Sequence, residues 1–130
     1  MSHPNLALVQ SVYGAFATAD RDAVVAAFDP DVRWHNSGYD PTSGTLVGVD
    51  AVMGYLMGDN HMDDFQLDVI DMLASDARVA VVARTTGRRG EQHIVNDFVQ
   101  LVRVQDGRIL EVHNYTWDQR AVAEFMAVPA

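Results

Sequence analysis

In the run Val32-Arg33-Trp34-His35-Asn36, which follows Pro30, the alternation of a strand sends Val32, Trp34 and Asn36 to one face. A buried amide needs hydrogen-bond partners, so an indole and a carboxamide beside a valine are an odd lining for a plain core. They are a reasonable lining for a pocket. The same alternation further along turns Arg84, Phe98, Gln100, Val102, Val112 and Asn114 inward. The inward set is then apolar wall plus three amides and one guanidinium. Amides donate and accept hydrogen bonds without titrating. Asn36, Gln100 and Asn114, with Arg84, would therefore polarise a ligand carbonyl or hydroxyl, or hold an oxyanion, more readily than they would remove a proton.

Each of these residues has a plainer reading. Trp34 is equally a core indole that needs only a partner for its N–H. Asn36 and Asn114 would also serve to satisfy irregular backbone at strand ends. Arg84 has a solvent-face alternative, paired with Asp68 or Asp71, and a slip of one residue over 79–86 would move it there. His35 is the titrating group best matched to acid–base work, and it is assigned as the proton shuttle if it reaches inside. Strict alternation turns it, like His113, toward the other face, from which a strand bulge would have to re-aim it. The run Asp59-Asn60-His61-Met62-Asp63-Asp64 matches neither a calcium loop nor a zinc pattern, so it reads as a solvated loop and no metal site is assigned.

Two absences prune chemistry further. All nine basic residues are arginines, and without lysine there is no Schiff base, lysine-anchored pyridoxal phosphate or phosphate-loop lysine. Without cysteine there is no thiol nucleophile, thiolate metal site or disulfide, which fits a reducing compartment. A net charge of −9 with no basic cluster beyond Arg88–Arg89 argues against nucleic acid and anionic membrane surfaces. No apolar run is long enough to span a bilayer, and the first residues do not read as a signal peptide. A cytoplasmic location is expected.

The elements that must position these groups are legible as a single domain over 1–130. Pro4 suits a first helical turn, with Leu6, Val9, Val12/Tyr13 and Phe16 at helical spacing behind it. Asp20 caps a second helix with Val24, Ala27 and Phe28 on its buried side. After a strand around 32–36 and a loop from Pro41 to Gly44, a third helix runs from Val49 to Met57 and stops at Gly58. Tyr55 and the methionines of this helix fall at helical spacing as wall or lid. Four strands follow: Phe65–Leu73, Val79–Thr86, His93–Val104 and Arg108–Trp117. Their turns are Ser75-Asp76, Gly87-Arg88-Arg89-Gly90 and Asp106-Gly107. Asp118 caps a closing helix through Phe125. Helices first and an antiparallel meander after is an α+β pattern.

Thr18-Ala19-Asp20, Phe28-Asp29-Pro30-Asp31 leading into Val32-Arg33-Trp34-His35, Gly48-Val49-Asp50-Ala51-Val52, Val104-Gln105-Asp106-Gly107-Arg108-Ile109-Leu110-Glu111, and Tyr115 ahead of Asp118 occur in that order. In this order and spacing the chain resembles the nuclear-transport-factor-2-like superfamily, and within it the ketosteroid-isomerase/SnoaL-like group. The resemblance implies a cone-shaped, curved, mostly antiparallel sheet wrapped by the N-terminal helices (a cystatin-like architecture). It also implies a largely apolar pocket at the open end and a homodimer through the outer sheet face. Steroid isomerisation needs a carboxylate base and two acids. By similarity the base falls on Asn36, the phenol near Val12 and Tyr13, and the protonated carboxyl near Gln100, so that mechanism lacks its groups. For epoxide hydrolysis, Trp34, Asn36 and Arg84 fall on family positions, but the two carboxylates land near Thr86 and Asn114.

The resulting expectation is a SnoaL-like small-molecule enzyme of isomerase, cyclase or hydrolase type. It would act without a cofactor on a hydrophobic oxygenated substrate. Asn36, His35, Arg84, Gln100 and Asn114 are its candidate catalytic residues. Val12, Tyr13, Phe16, Trp34, Tyr55, Phe98, Val102 and Val112 are its candidate substrate-binding wall. The alternatives are a non-catalytic binding module for a hydrophobic metabolite and a dimeric adaptor domain.

Overall fold

A computed structural model describes residues 3–58 and 62–127. Helix α1 (Pro4–Ala17) starts on a proline and ends where Ala19 takes a positive φ of 55°. Asp20 then caps α2 (Arg21–Ala27), its carboxylate accepting from the Ala23 N–H at 3.2 Å. The chain passes directly into β1 (Phe28–Asn36), a loop, and a short strand β2 (Gly44–Val47) that the sequence reading had left inside the loop-to-helix passage. Helix α3 (Val49–Met57) has the expected bounds. It ends at Gly58, whose extended conformation would bring a Cβ there into the Gly54 carbonyl oxygen. A meander follows: β3 (Asp63–Ala74), β4 (Arg78–Arg89), β5 (Gln92–Gln105) and β6 (Arg108–Thr116). The last connection is the Asp106-Gly107 turn, with φ of 52° and 74°. Helix α4 (Gln119–Met126) closes the chain, capped by Asp118 as expected.

The six strands form one open sheet in the order β2-β1-β6-β5-β4-β3. Among the described residues only β1 and β6 run parallel; every other neighbouring pair is antiparallel. Register shifts at Phe28/Arg33, Val69/Asp71 and Arg103/Val104 interrupt the ladders, and such bulges bend and twist a sheet. Its concave side is covered by the helices. Val9 of α1, Val24 of α2, and Val52 and Met53 of α3 meet Val32, Val79, Val81 and Val112 of the sheet, all of them fully buried. The fold is thus α+β, a curved and mostly antiparallel sheet with helices on one side. Among the described residues, no helix is long and apolar enough to cross a membrane.

The meander corrects two sequence-level boundaries. Strand β4 was expected to stop at Thr86 and turn through Gly87-Arg88-Arg89-Gly90, yet it runs on to Arg89 and the turn is made by Gly90 and Glu91. Its buried positions are Val79, Val81, Ala83, Gly87 and Arg89, so odd numbers face the core and even numbers face out. Residues 59–61, part of the Asp59–Asp64 run, lie outside the described residues.

Candidate functional site

Between the sheet's concave side and the helices lies a cavity of about 770 Å³. Trp34, Phe28, Phe98, Val102 and Val112 build its sheet wall, and Val12, Phe16, Leu56 and Met57 line it from α1 and α3. Polar groups are set into this wall in two clusters.

The first cluster is centred on Asn36. Its Oδ1 accepts from the Trp34 Nε1–H at 2.9 Å and from the Asn114 Nδ2–H at 2.8 Å, and its own Nδ2 donates to the Thr42 carbonyl at 2.9 Å. The parallel β1–β6 register, which pairs Asn36 with Asn114 and Trp34 with Val112, makes this possible. The buried Asn114 Oδ1 is left with no partner. Tyr55 of α3 stands beside the cluster, its ring 5.9 Å from that of Trp34. Although 41% of Tyr55 is accessible, it is part of the cavity wall. Burial pushes its phenol above the ordinary value, and the Asp40 charge adds to the rise against a hydrogen bond from Asn36. Across the cavity, the Tyr13 hydroxyl donates to Gln100 Oε1, and burial raises this phenol further. Both phenols are therefore neutral donors at any physiological pH.

Asp40 is the only carboxylate in the cavity wall among the described residues. Its own loop holds it: Oδ1 accepts from the Thr42 N–H at 2.7 Å and from the Thr42 hydroxyl, and Oδ2 accepts from the Ser43 hydroxyl at 3.1 Å. In the sequence, Asp40-Pro41-Thr42-Ser43 shows the composition of an Asx turn, which marks a loop but not which way its carboxylate faces.

The second cluster lies toward β4 and α4, where Thr85, Arg89 and Asn96 join the wall. Asn96 follows from the alternation that places Phe98 and Gln100 inward, so its signal was available. Arg89 was hidden by the turn reading of residues 87–90.

Of the residues proposed from sequence, Val12, Tyr13, Phe16, Trp34, Asn36, Tyr55, Phe98, Gln100, Val102, Val112 and Asn114 all border the cavity. Two do not. Arg84 is on the convex face, where its Nε and Nη2 donate to Asp97 at 2.6 and 3.1 Å. The one-residue frame of β4 puts it there, and this bidentate pair, rather than Asp68 or Asp71, is its ion partner. The pair holds the Asp97 carboxyl below its usual range. His35 is also on the convex face. Its Nδ1 lies 2.8 Å from the Thr45 hydroxyl and its Nε2 lies 2.8 Å from Glu111, while its ring stacks on His113 at 4.3 Å. No bulge re-aims it: β1 and β6 stay in step from Arg33↔Glu111 to Asn36↔Asn114. Among the described residues, His35, Glu111 and His113 are the one group with the donor chemistry for a metal ion, their ligand atoms all within 4.8 Å of one another. The cluster faces away from the cavity.

The sequence profile of the SnoaL-like domain matches residues 9–112, most of the chain. The protein belongs to the SnoaL-like domain family. Solved structures agree on the fold. An NTF2-like protein from Burkholderia xenovorans LB400 superimposes with a TM-score of 0.84 at 23% identity, covering 97% of this chain and 98% of its own. A protein of unknown function with a cystatin-like fold from Xanthomonas campestris gives 0.79 at 26% identity, covering 95% and 98%. TerC, co-crystallized with polyporic acid, gives 0.82 at 19% identity, covering 97% and 100%. No match is found among curated proteins. This SnoaL-like domain therefore has its fold and family fixed, and its chemistry must be argued from the cavity.

Proposed function

We propose that this SnoaL-like domain is a small-molecule enzyme that moves a proton on a hydrophobic, oxygenated substrate without a cofactor. The supporting observation is the grouping of Asp40, the one carboxylate in the cavity wall among the described residues, with the neutral Tyr55 phenol and the Asn36 amide against an aromatic wall. A carbonyl compound seated on Trp34 would have its oxygen polarised by Tyr55. Asp40 would take the proton from the carbon next to that carbonyl, and the C–H electron pair would move to the oxygen. Return of the proton to another carbon gives an isomerase; attack of the enolate on a second carbonyl gives a cyclase. Both are redox-neutral. The amides of Asn36, Gln100 and Asn114 position the oxygen and hold its charge, and the aromatic and aliphatic wall residues take the carbon skeleton. His35 and Arg84, on the far side of the sheet, have no part in this scheme.

Solvent-deuterium incorporation tests it. A panel of cyclic ketones and 1,3-diketones in D₂O, followed by proton NMR, should exchange faster with wild-type protein than without it. Asp40→Asn should remove most of that acceleration, a loss of about a hundredfold or more for a general base. Equal exchange by wild type and Asp40→Asn would remove Asp40 from the chemistry.

One observation favours a second reading. The Asp40 carboxylate already accepts three hydrogen bonds from its own loop, which suits a structural acid in a non-catalytic binding module. Unchanged ligand recovered from the purified protein after long incubation would support that reading over turnover.

We also propose a homodimer through the convex sheet face. Val82, Val99 and Tyr115 stand in line across β4, β5 and β6, with Leu101 beside them, and Tyr115 is exposed. An apolar row on an otherwise charged face is what a second copy would cover. Light scattering should give twice the protomer mass, and Val99→Glu should return it to one. The cysteine-free composition supports work in the cytoplasm.

A further inference from the structure

Arg89 is the charge that the proposed chemistry leaves unused. It ends β4 on the inward frame and is only 8% exposed. Its Nη1 donates to the last carbonyls of α4, Met126 at 2.9 Å and Phe125 at 3.3 Å, and the guanidinium carbon lies 5.9 Å from the Phe125 ring. These neutral partners orient the group without cancelling its charge. Its Nε is buried with no acceptor, and no carboxylate pairs with it among the described residues. A buried cation is ordinarily paired, since leaving it alone forfeits its hydration for little return. The unpaired cation also sits in a chain of net charge −9, where acids for pairing are plentiful.

The same stretch of wall holds Asn96 and, directly opposite it on β4, Thr85; their amide N–H and hydroxyl are neutral donors. Val122 and Met126 of α4 close it with apolar surface. An unmet cationic donor thus borders the cavity, and among the described residues Arg89 is the only cationic side chain in its wall. The geometry points to an anion subsite at Arg89, and so to a ligand that is a hydrophobic carboxylate. The carboxylate sits at Arg89, with the apolar body reaching along Phe98 toward Trp34. A planar guanidinium suits a carboxylate, and charge-assisted bonds to it are roughly twice as strong as neutral ones. The assignment rests on the small-molecule reading of the cavity and deepens it, naming the class of substrate.

Matched probes test it by isothermal titration calorimetry: 3-phenylpropanoate and 2-naphthylacetate against their primary amides, which keep shape and lose charge. Wild-type protein should bind each acid at least about tenfold more tightly than its amide. That preference should shrink as salt rises. Arg89→Gln should lose the preference while amide affinity stays within about threefold, and Arg89→Lys should retain part of it. Because Arg89 also caps α4, Arg89→Gln carries a thermal-melting control. Should it fail to fold, the wild-type acid–amide ratio, its salt dependence and Arg89→Lys still decide. Amides binding as well as acids would overturn the subsite and leave the cavity reading intact, as would a preference that survives in Arg89→Gln. Binding of neither acid nor amide would overturn both.

Discussion

Asn36 and Asn114 stand abreast on the parallel strand pair β1–β6, and the Asn114 amide donates to Asn36 Oδ1 at 2.8 Å. Because Trp34 Nε1 shares that acceptor and Asn36 in turn donates to the Thr42 carbonyl, one side chain ties the indole, the neighbouring strand and the Asp40 loop together. Asn36→Ala strips partners from three part-buried groups at once. A loss of about 1–3 kcal/mol in folding stability is expected from urea denaturation, the cost of leaving polar groups unmet.

The phenols give a pH signature. Burial raises Tyr13 and Tyr55 above the ordinary value of 10.0, so the folded chain keeps protons that the unfolded chain releases. Their contribution to stability is complete below that value and is lost as pH climbs through the higher folded ones. Urea midpoints should therefore fall between about pH 9 and pH 11 in wild type. Tyr13→Phe should fall less over the same interval, starting from a midpoint already lowered by loss of the bond to Gln100.

Arg84→Ala and Asp97→Asn remove one exposed ion pair from the convex face. Ligand affinity and turnover should be unchanged in both. What little stability the pair supplies should vanish in acid, because Asp97, with its carboxyl held down by Arg84, needs its charge to pair. Loss of activity in Arg84→Ala would restore that arginine to the site.

Gly58→Ala probes the end of α3. Its new Cβ would run into the Gly54 carbonyl oxygen, so the helix end must shift. A cost of about 1–3 kcal/mol is expected in thermal or chemical melting, as for other overpacked positions.

Much of this was readable from sequence where local signals are strong. Asp20, Asp118 and the Asp106-Gly107 turn carry capping and hairpin chemistry that few other residues supply, and those elements fall where that chemistry places them. Alternation was enough for Trp34, Asn36, Gln100 and Asn114, because the β1–β6 and β5–β6 ladders stay in step through those positions. It misplaced Arg84 because β4 carries small or β-branched residues on both faces around Val79–Ala83, so the pattern does not say which parity is inside. Arg89 was lost to a related ambiguity, since Gly87 and Gly90 bracket it as they would a turn. Gly87 is buried inside the strand instead. Asp40 could not be read at all: its direction is set by bonds within a loop.

The ligand cavity is most directly tested by Trp34 itself. The chain has two tryptophans; Trp117 is 87% exposed, while Trp34 is 4% exposed and forms cavity wall. In Trp117→Phe protein, emission reports Trp34 alone. Titration with the aryl-alkanoates and cyclic ketones named above should give a saturable change in that emission, abolished when a bulkier side chain fills the space, as in Val102→Phe. Emission that stays flat across the whole panel, with the protein folded, would contradict a cavity built to hold a small molecule.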